Sequence, residues 1–463
     1  MTPWLRRALV GLATAVVVGA CGTPTPTVSP SASAPAPTSS PSPAASSSGS
    51  PAPTGPTPEP TTSVVTDGPI AASGSIAVLG PNGAMSIIDA GGRSVPVPSD
   101  GDGTFGFPTW SPDGSRVAAA RSTGADVAVV VIDAKHVAAG QRIQPKVVFQ
   151  KDGVEPFYLF WSPDGKEISF LASEGTDLKL RIAPADGSAP LDGSGRGSIV
   201  RAGNPFYYDW LADDRLLAHI GNGASGFLGE LGLDGKASPP IDGTPADFRS
   251  AVVSHDHKSI AFVRQTQGID NEVIVTARDG SHEEHLSVIG PTAIAFDPTG
   301  DTIGTIGAED PSTLSTFPLG PLRLMDRAGK QRTLVDGLVV AFWWSPDGKT
   351  VGAMRVIQGK PAPSALPFGP SPTPTPGEVH LVFADVATGA IRSDPVVRPT
   401  SGFVNGVINY FDQYALSHRM WAPDGSSMLM PETDENGLTH LLVRYVDGRP
   451  PITLEGAIGF WSP

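Results

Sequence analysis

The chain of 463 residues contains one cysteine, Cys21, so no intramolecular disulfide can brace it. An exported domain without disulfides relies on a large apolar core, and a chain of this length can build one. Charge is also scarce: Asp, Glu, Lys and Arg make up 17% of the residues, below the roughly one quarter of an ordinary globular domain. What charge there is leans negative, to a formal net of -14. Neutralising nucleic-acid phosphates needs clustered Lys and Arg, so the balance argues against a nucleic-acid partner and against direct adsorption on an anionic membrane surface. The longest apolar run falls short of the ~20 residues that a helix needs to cross a bilayer. A Gly-x-Ser-x-Gly nucleophile elbow is missing; the nearest string, Gly223-Ala224-Ser225-Gly226-Phe227, lacks the last glycine.

That apolar run, Ala8 to Val18, follows Arg6 and Arg7 and has the length of a signal-peptide core. The flanks of the two arginines fit a twin-arginine export signal poorly. The run ends in Val18-Gly19-Ala20-Cys21, which resembles the bacterial lipoprotein lipobox. The resemblance implies cleavage between Ala20 and Cys21, lipidation of the Cys21 thiol, and residence on the extracytoplasmic face of the cell membrane. Two or more acyl chains, at about 0.8 kcal/mol per buried methylene, anchor stably where one does not. Residues 1–20 are thus read as a signal peptide and 21–71 as the lipidated cysteine and a linker. The linker is rich in Pro, Ser, Thr, Ala and Gly and cannot bury enough surface to offset its ordering entropy. Extended by proline, it could span on the order of 100 Å.

The rest of the chain, 72–463, is organised by a turn string. Trp-Ser-Pro-Asp-Gly occurs at Trp110-Asp113-Gly114, Trp161-Asp164-Gly165 and Trp344-Asp347-Gly348; it returns as Trp-Ala-Pro-Asp-Gly at Trp421-Asp424-Gly425, and the chain ends on Trp461-Ser462-Pro463. Degenerate copies begin at Trp210, Val253 and Phe296. Pro sets φ for the second position of a tight turn, Gly supplies the left-handed position, and Asp accepts turn amides. A short run of small or β-branched residues follows each copy, then a second strand and another turn. Each unit therefore reads as about four short antiparallel strands, and an array of such units as an all-β propeller. Seven internal anchors and a closing one give eight blades; seven is the alternative, because the copies at 210 and 253 are weak. Ile76, at the start of the array, and Trp461, at its end, are expected to share a blade, which removes the open edges. The long interval between Trp344 and Trp421 is assigned to the proline-rich insert 361–377, a surface loop.

These strings resemble the propeller repeat of TolB and of prolyl-oligopeptidase-type peptidases, and are similar to those of many actinobacterial lipoproteins of unassigned role. The resemblance implies a fold and, by the TolB analogy, a protein partner. The peptidase chemistry is not implied, because the nucleophile elbow is missing. His255-Asp256-His257 occupies the place of a Pro-Asp-Gly turn, His282 and His285 lack zincin spacing, and Asp434 to Gly437 lacks the remaining EF-hand ligands. No catalytic residue, metal or cofactor is therefore assigned. The aromatic strings 206–208 and 409–411 are expected to pack within the blades rather than at an exposed mouth. The expected function is a membrane-anchored, monomeric, non-catalytic propeller that binds a protein or cell-envelope component. A carbohydrate-active hydrolase or lyase, or a small-ligand sensor using the central pocket, are the alternatives.

Overall fold

The computed structural model describes residues 69–463 apart from 100–102, 125, 140, 142–143, 175–176, 192–198, 212–213, 222–225, 242–250, 279–280 and 359–376, together with the strand Ser63–Val64. Ala20, Cys21, most of the linker, nearly all of the proline-rich insert and the 223–225 string lie outside the described residues.

The chain is an all-β propeller built from antiparallel sheets laid down in sequence order. The Trp110 blade consists of Thr104–Trp110, Arg116–Thr123, Asp126–Asp133 and Lys146–Gln150. The Trp161 blade repeats it with Glu155–Trp161, Glu167–Glu174, Asp177–Pro184 and Ile199–Gly203. Each anchor ends its blade's first strand. The second strands, such as Val117 to Ala120 and Ile168 to Leu171, are buried throughout. Burial on both faces is why they read as unbroken small and apolar runs rather than as alternating patterns.

Further along, single strands serve two blades. Glu284–Phe296 pairs with Asp270–Ala277 along its first half and with Thr302–Ala308 along its second. It bends at Gly290 (φ +65°), followed by Pro291. Gln331–Trp344 does the same around Gly337 (φ +90°). The outermost strand of one blade thus becomes the first strand of the next.

The ring closes through its two ends. Ile76 faces Trp461 in register, Ala77 faces Phe460, and Val78 faces Gly459. Ser462 accepts from Ser75 N at its Oγ (3.1 Å) and donates its own N–H to Ser75 O (2.8 Å). Ser111 treats Arg116 in the same way within the intact motif (3.0 and 2.9 Å). The cut-off motif is therefore completed by residues from the far end of the sequence. The linker boundary needs correction here. Ile70 and Ala71 are buried, Ile70 O accepts from the Tyr445 hydroxyl (2.9 Å), and Ser63–Val64 pairs with Arg93 and Ser94. An apolar residue at the seam between first and last blades is worth burying, so the folded part begins before 72.

Adjacent blades fit by size. The third residue of each of these second strands faces the next anchor, and it is small where that anchor is Trp. Ser169 meets Trp210, Gly304 lies against Trp344, and Gly352 lies against Trp421. Where the next anchor shrinks to Val253, the facing residue grows to Leu217 and both join one apolar cluster. A Cβ on Gly304 would stand 2.6 Å from the Phe342 ring and 3.4 Å from Trp344. Strand propensity alone favours valine over glycine here. We expect Gly304→Val to lower stability instead, by about 1–3 kcal/mol from overpacking, measured by urea unfolding.

Candidate functional site

The repeated turns gather at one end of the ring, and their geometry is nearly constant. Asp113 Oδ1 accepts from Ser111 Oγ (2.6 Å) and Ser115 N (3.0 Å). Ser162 with Asp164, Ser254 with Asp256 and Ser345 with Asp347 repeat the first bond at 2.7 Å. Gly114, Gly165, Gly348 and Gly425 all have φ between +65° and +69°. His257 takes the same left-handed position at +57°, so the 255–257 string is a turn variant. At Phe296 the roles are exchanged: Asp297 stands in the serine position and accepts from Thr299 Oγ1 (2.7 Å) and Thr302 N (3.0 Å). The serine was not singled out from sequence, although its recurrence was visible.

These bonds hold the carboxylates ionised. Asp113 is drawn down to about 2 by Ser111 and Ser115, Asp164 to about 2 by Lys166 and Ser162, and Asp256 to about 2 by Ser254. Unfolded aspartates titrate near 3.9, so the unfolded chain takes up these protons first as pH falls. The stability these turns add is complete above about pH 4 and is lost toward pH 2. A thermal series should show Tm falling across that window, and less steeply in the double variant Asp113→Asn, Asp164→Asn.

Five of the anchoring tryptophans also reach their neighbours, whereas the buried indole N–H of the closing anchor, Trp461, has no partner among the described residues. The indole Nε1–H of Trp110 donates to Phe460 O (2.9 Å), that of Trp161 to Thr109 O (3.0 Å), and that of Trp421 to Trp343 O (3.0 Å). Trp344 donates to Ala295 O (3.4 Å), and Trp210 to Ser169 Oγ (2.8 Å) and Phe160 O (3.4 Å). Each carbonyl acceptor belongs to the residue just before the neighbouring blade's anchor.

The centre of the ring is filled by the segment between Val397 and Met420, which the sequence did not reveal. It forms a short helix Ser401–Gly406, a 3-10 turn Ile408–Tyr410 and a second helical turn Phe411–Tyr414. Phe411 packs on Phe342 (5.4 Å between ring centres) and Trp343 (5.9 Å), and Tyr414 on Tyr158 (5.1 Å). Thr109 Oγ1 donates to Ser417 O (2.9 Å), and His418 lies against Phe460 (4.6 Å). The plug thus touches blades on opposite stretches of the chain. It accounts for part of the long interval between Trp344 and Trp421, which the proline-rich insert alone was expected to explain. The aromatic string 409–411 belongs to this plug, whereas Phe206, Tyr207 and Tyr208 are buried in a first strand as expected.

Two cavities remain beside the plug at the turn end. One, of about 330 Å³, lies among Trp110, Trp161, Trp210, Asp209, His255 and Arg419. The other, of about 180 Å³, lies among Phe296, Trp344, Trp421, Asp412, His255 and Arg419. Burial drives His418 down to about 3, so its imidazole is neutral, and it shares a 2.7 Å hydrogen bond with Ser417. Burial pushes Asp209 up to about 7, opposed by backbone hydrogen bonds from Val253 N (3.4 Å) and Trp210.

Among the described residues no group of three or more His, Cys, Asp and Glu converges as metal ligands. His285 bonds Glu272 (3.2 Å) on a blade, and Asp434 accepts from Asn436 N and Leu438 N in a hairpin turn. No helix among the described residues is long and apolar enough to cross a membrane.

No family model and no curated protein matches the chain. Among solved structures it is similar to TolB from Acinetobacter baumannii, at 18% identity and a TM-score of 0.35. That match covers 56% of this chain and 63% of the other, less than two thirds of its length. A dihydro-heme d1 dehydrogenase, NirN, in complex with DHE is similar at 14% identity and a TM-score of 0.49, over 85% of this chain and 77% of that one. An oligogalacturonate lyase in complex with manganese is similar at 11% and 0.43, over 59% and 79%.

Asp209 supplies a pH signature. Between about pH 4 and 7 the unfolded chain releases this proton while the folded chain keeps it, so the residue costs stability increasingly as pH rises to 7. Asp209→Asn should raise Tm at pH 8 and leave it nearly unchanged at pH 4. An equal gain at both values would exclude the buried, proton-retaining carboxyl.

Proposed function

We propose that this chain is an extracytoplasmic lipoprotein, anchored through Cys21 and held off the cell membrane by its proline-rich linker. Its eight-bladed, TolB-like propeller acts as a monomeric, non-catalytic module that binds a protein or cell-envelope component. The lipobox and the linker composition support the anchor. The observation that carries the binding reading is the filled centre. Residues 401–419 occupy the place where a propeller enzyme would gather its acids, and the turn end becomes the surface on offer. A glycosidase working through two facing carboxylates fits less well at the larger cavity, which is lined by one acidic side chain, Asp209; the two acids of the smaller one, Asp297 and Asp412, share only about 180 Å³. The sensor alternative has a specific observation behind it, the aromatic-walled cavities.

Two measurements on living cells test this reading together. Cys21→Ser should move the protein out of the membrane fraction, and an unchanged distribution rules out the anchor. A photo-crosslinking residue at His255, on the turn end, should capture a discrete partner that the same residue at Asp152 does not. Asp152 sits in the connection before the strand Glu155–Trp161, at the opposite end of the ring. Identical capture from both positions rules out a dedicated binding face.

A further inference from the structure

The two cavities share Val253, His255, Leu416 and Arg419. Arg419 comes from the last residues of the plug, and its backbone pairs with Trp461 at the closing seam (Trp461 N to Arg419 O, 2.8 Å). The residue is half-buried. Among the described residues no hydrogen bond or ion pair engages it, and burial alone pulls it below its ordinary value. A charge shielded from much of its water without a counter-ion is costly, and a chain that keeps one has something to set against the cost.

The surroundings say what that is. Trp110, Trp161 and Trp210 have already committed their indole donors to neighbouring blades. They offer the larger cavity only their carbon surfaces, joined by Pro112 and Pro163. Polar recognition there is led by Arg419, the one full cation side chain, with His255, His257 and the unpartnered indole N–H of Trp461 at the same cavity and Asp209 as the single acidic side chain. Burial favours the neutral form of Asp209, which lowers its opposition to an incoming anion. Asp297 and Asp412 border only the smaller cavity. About 330 Å³ accommodates one ring-sized molecule.

We propose that the larger cavity binds a small organic anion, an oxyanion carried on a flat apolar body, with Arg419 as the partner of the charge. A carboxylate or a phosphate presents the paired oxygens that a guanidinium fork matches. The site goes beyond the anchored binding module proposed above and stands whether or not the chain is lipidated.

The test is calorimetric titration of the purified full-length chain with phenylacetate, phenyl phosphate and uncharged phenylacetamide. At least one anion should saturate, and the stronger of the two identifies the oxyanion. The amide should bind at least about ten-fold more weakly, as should either anion to Arg419→Gln, in line with the loss of a charge-assisted bond. Arg419→Lys should recover part of the affinity. Arg419→Met should keep or raise the Tm, because nothing in the empty protein balances the charge; a structural arginine would lose stability instead. Leu416 is exposed and borders both cavities. Leu416→Glu therefore places a carboxylate beside Arg419 without disturbing the core, and should abolish anion binding at unchanged Tm. The proposal is overturned if neither anion binds, if the amide binds as well as the anions, or if affinity survives both Arg419→Gln and Leu416→Glu.

Discussion

The ring is held by a bond that crosses from blade to blade: an indole N–H aimed at the carbonyl that precedes the neighbour's own tryptophan. Trp161 to Thr109 and Trp421 to Trp343 are the plainest cases, both at 3.0 Å. Apolar contact between sheets is non-directional and would let blades slide. A buried donor does not, since leaving it unpaired costs about 1–3 kcal/mol. The bond therefore fixes the register between blades wherever it forms, which excludes the closing anchor Trp461, and the serine-aspartate turn below it fixes the position of the tryptophan. The small residue on the facing strand follows from the same demand. Ser169 and Gly304 leave room for the plate that delivers the donor. Where the anchor is Val253, the arrangement changes in concert: the facing residue is Leu217, and Asp209 Oδ2 accepts from Val253 N.

Two other joints complete the circle. Between Val253 and Trp344 the blades are linked by continuous strands that bend at Gly290 and Gly337, so consecutive sheets share backbone. At the seam the chain ends supply what sequence adjacency supplies elsewhere. Ser462 and Ser75 reproduce the bonds of Ser111 and Arg116, and Asp424 Oδ2 accepts from Ala72 N at 2.8 Å. The seam thus draws on residues just outside the paired strands, which is why Ile70 is buried although it follows a linker without core-forming composition.

Much of this was legible in the sequence because turns constrain residue type tightly. A left-handed position selects glycine, so even the degenerate string at 255–257 could be placed, and His257 adopts the backbone expected there. Ring closure was legible for the same reason, since half a motif at one end asked for a strand at the other. The plug was not. Residues 401–419 follow no alternation of period two and are too short for a helical stripe. Their burial is decided by the walls around them, Tyr158, Phe342 and Phe460, which come from three separate blades. The interval that contained them already had a visible explanation in its prolines, and that explanation was incomplete. The inter-blade bonds were half legible: the tryptophans announced themselves, but their acceptors are backbone carbonyls, which carry no signature in the sequence.

The plug also changes what the ring can do. An open channel lined by first strands presents mainly backbone edges and the residues beside each anchor, all of them occupied in holding blades together. Threading a separate segment through the centre brings in side chains with no such duty. Of those it buries there, Asp412 lies at the smaller cavity, whereas Phe403, Phe411 and His418 are consistent with simple filling, being apolar or neutral. Arg419 is not: a filler would be cheaper as leucine or methionine at that position. A cation set where both cavities meet, beside Trp110, Trp161 and Trp210, whose donors are spent, is difficult to explain as packing. It is the charge expected where a ligand completes the pair.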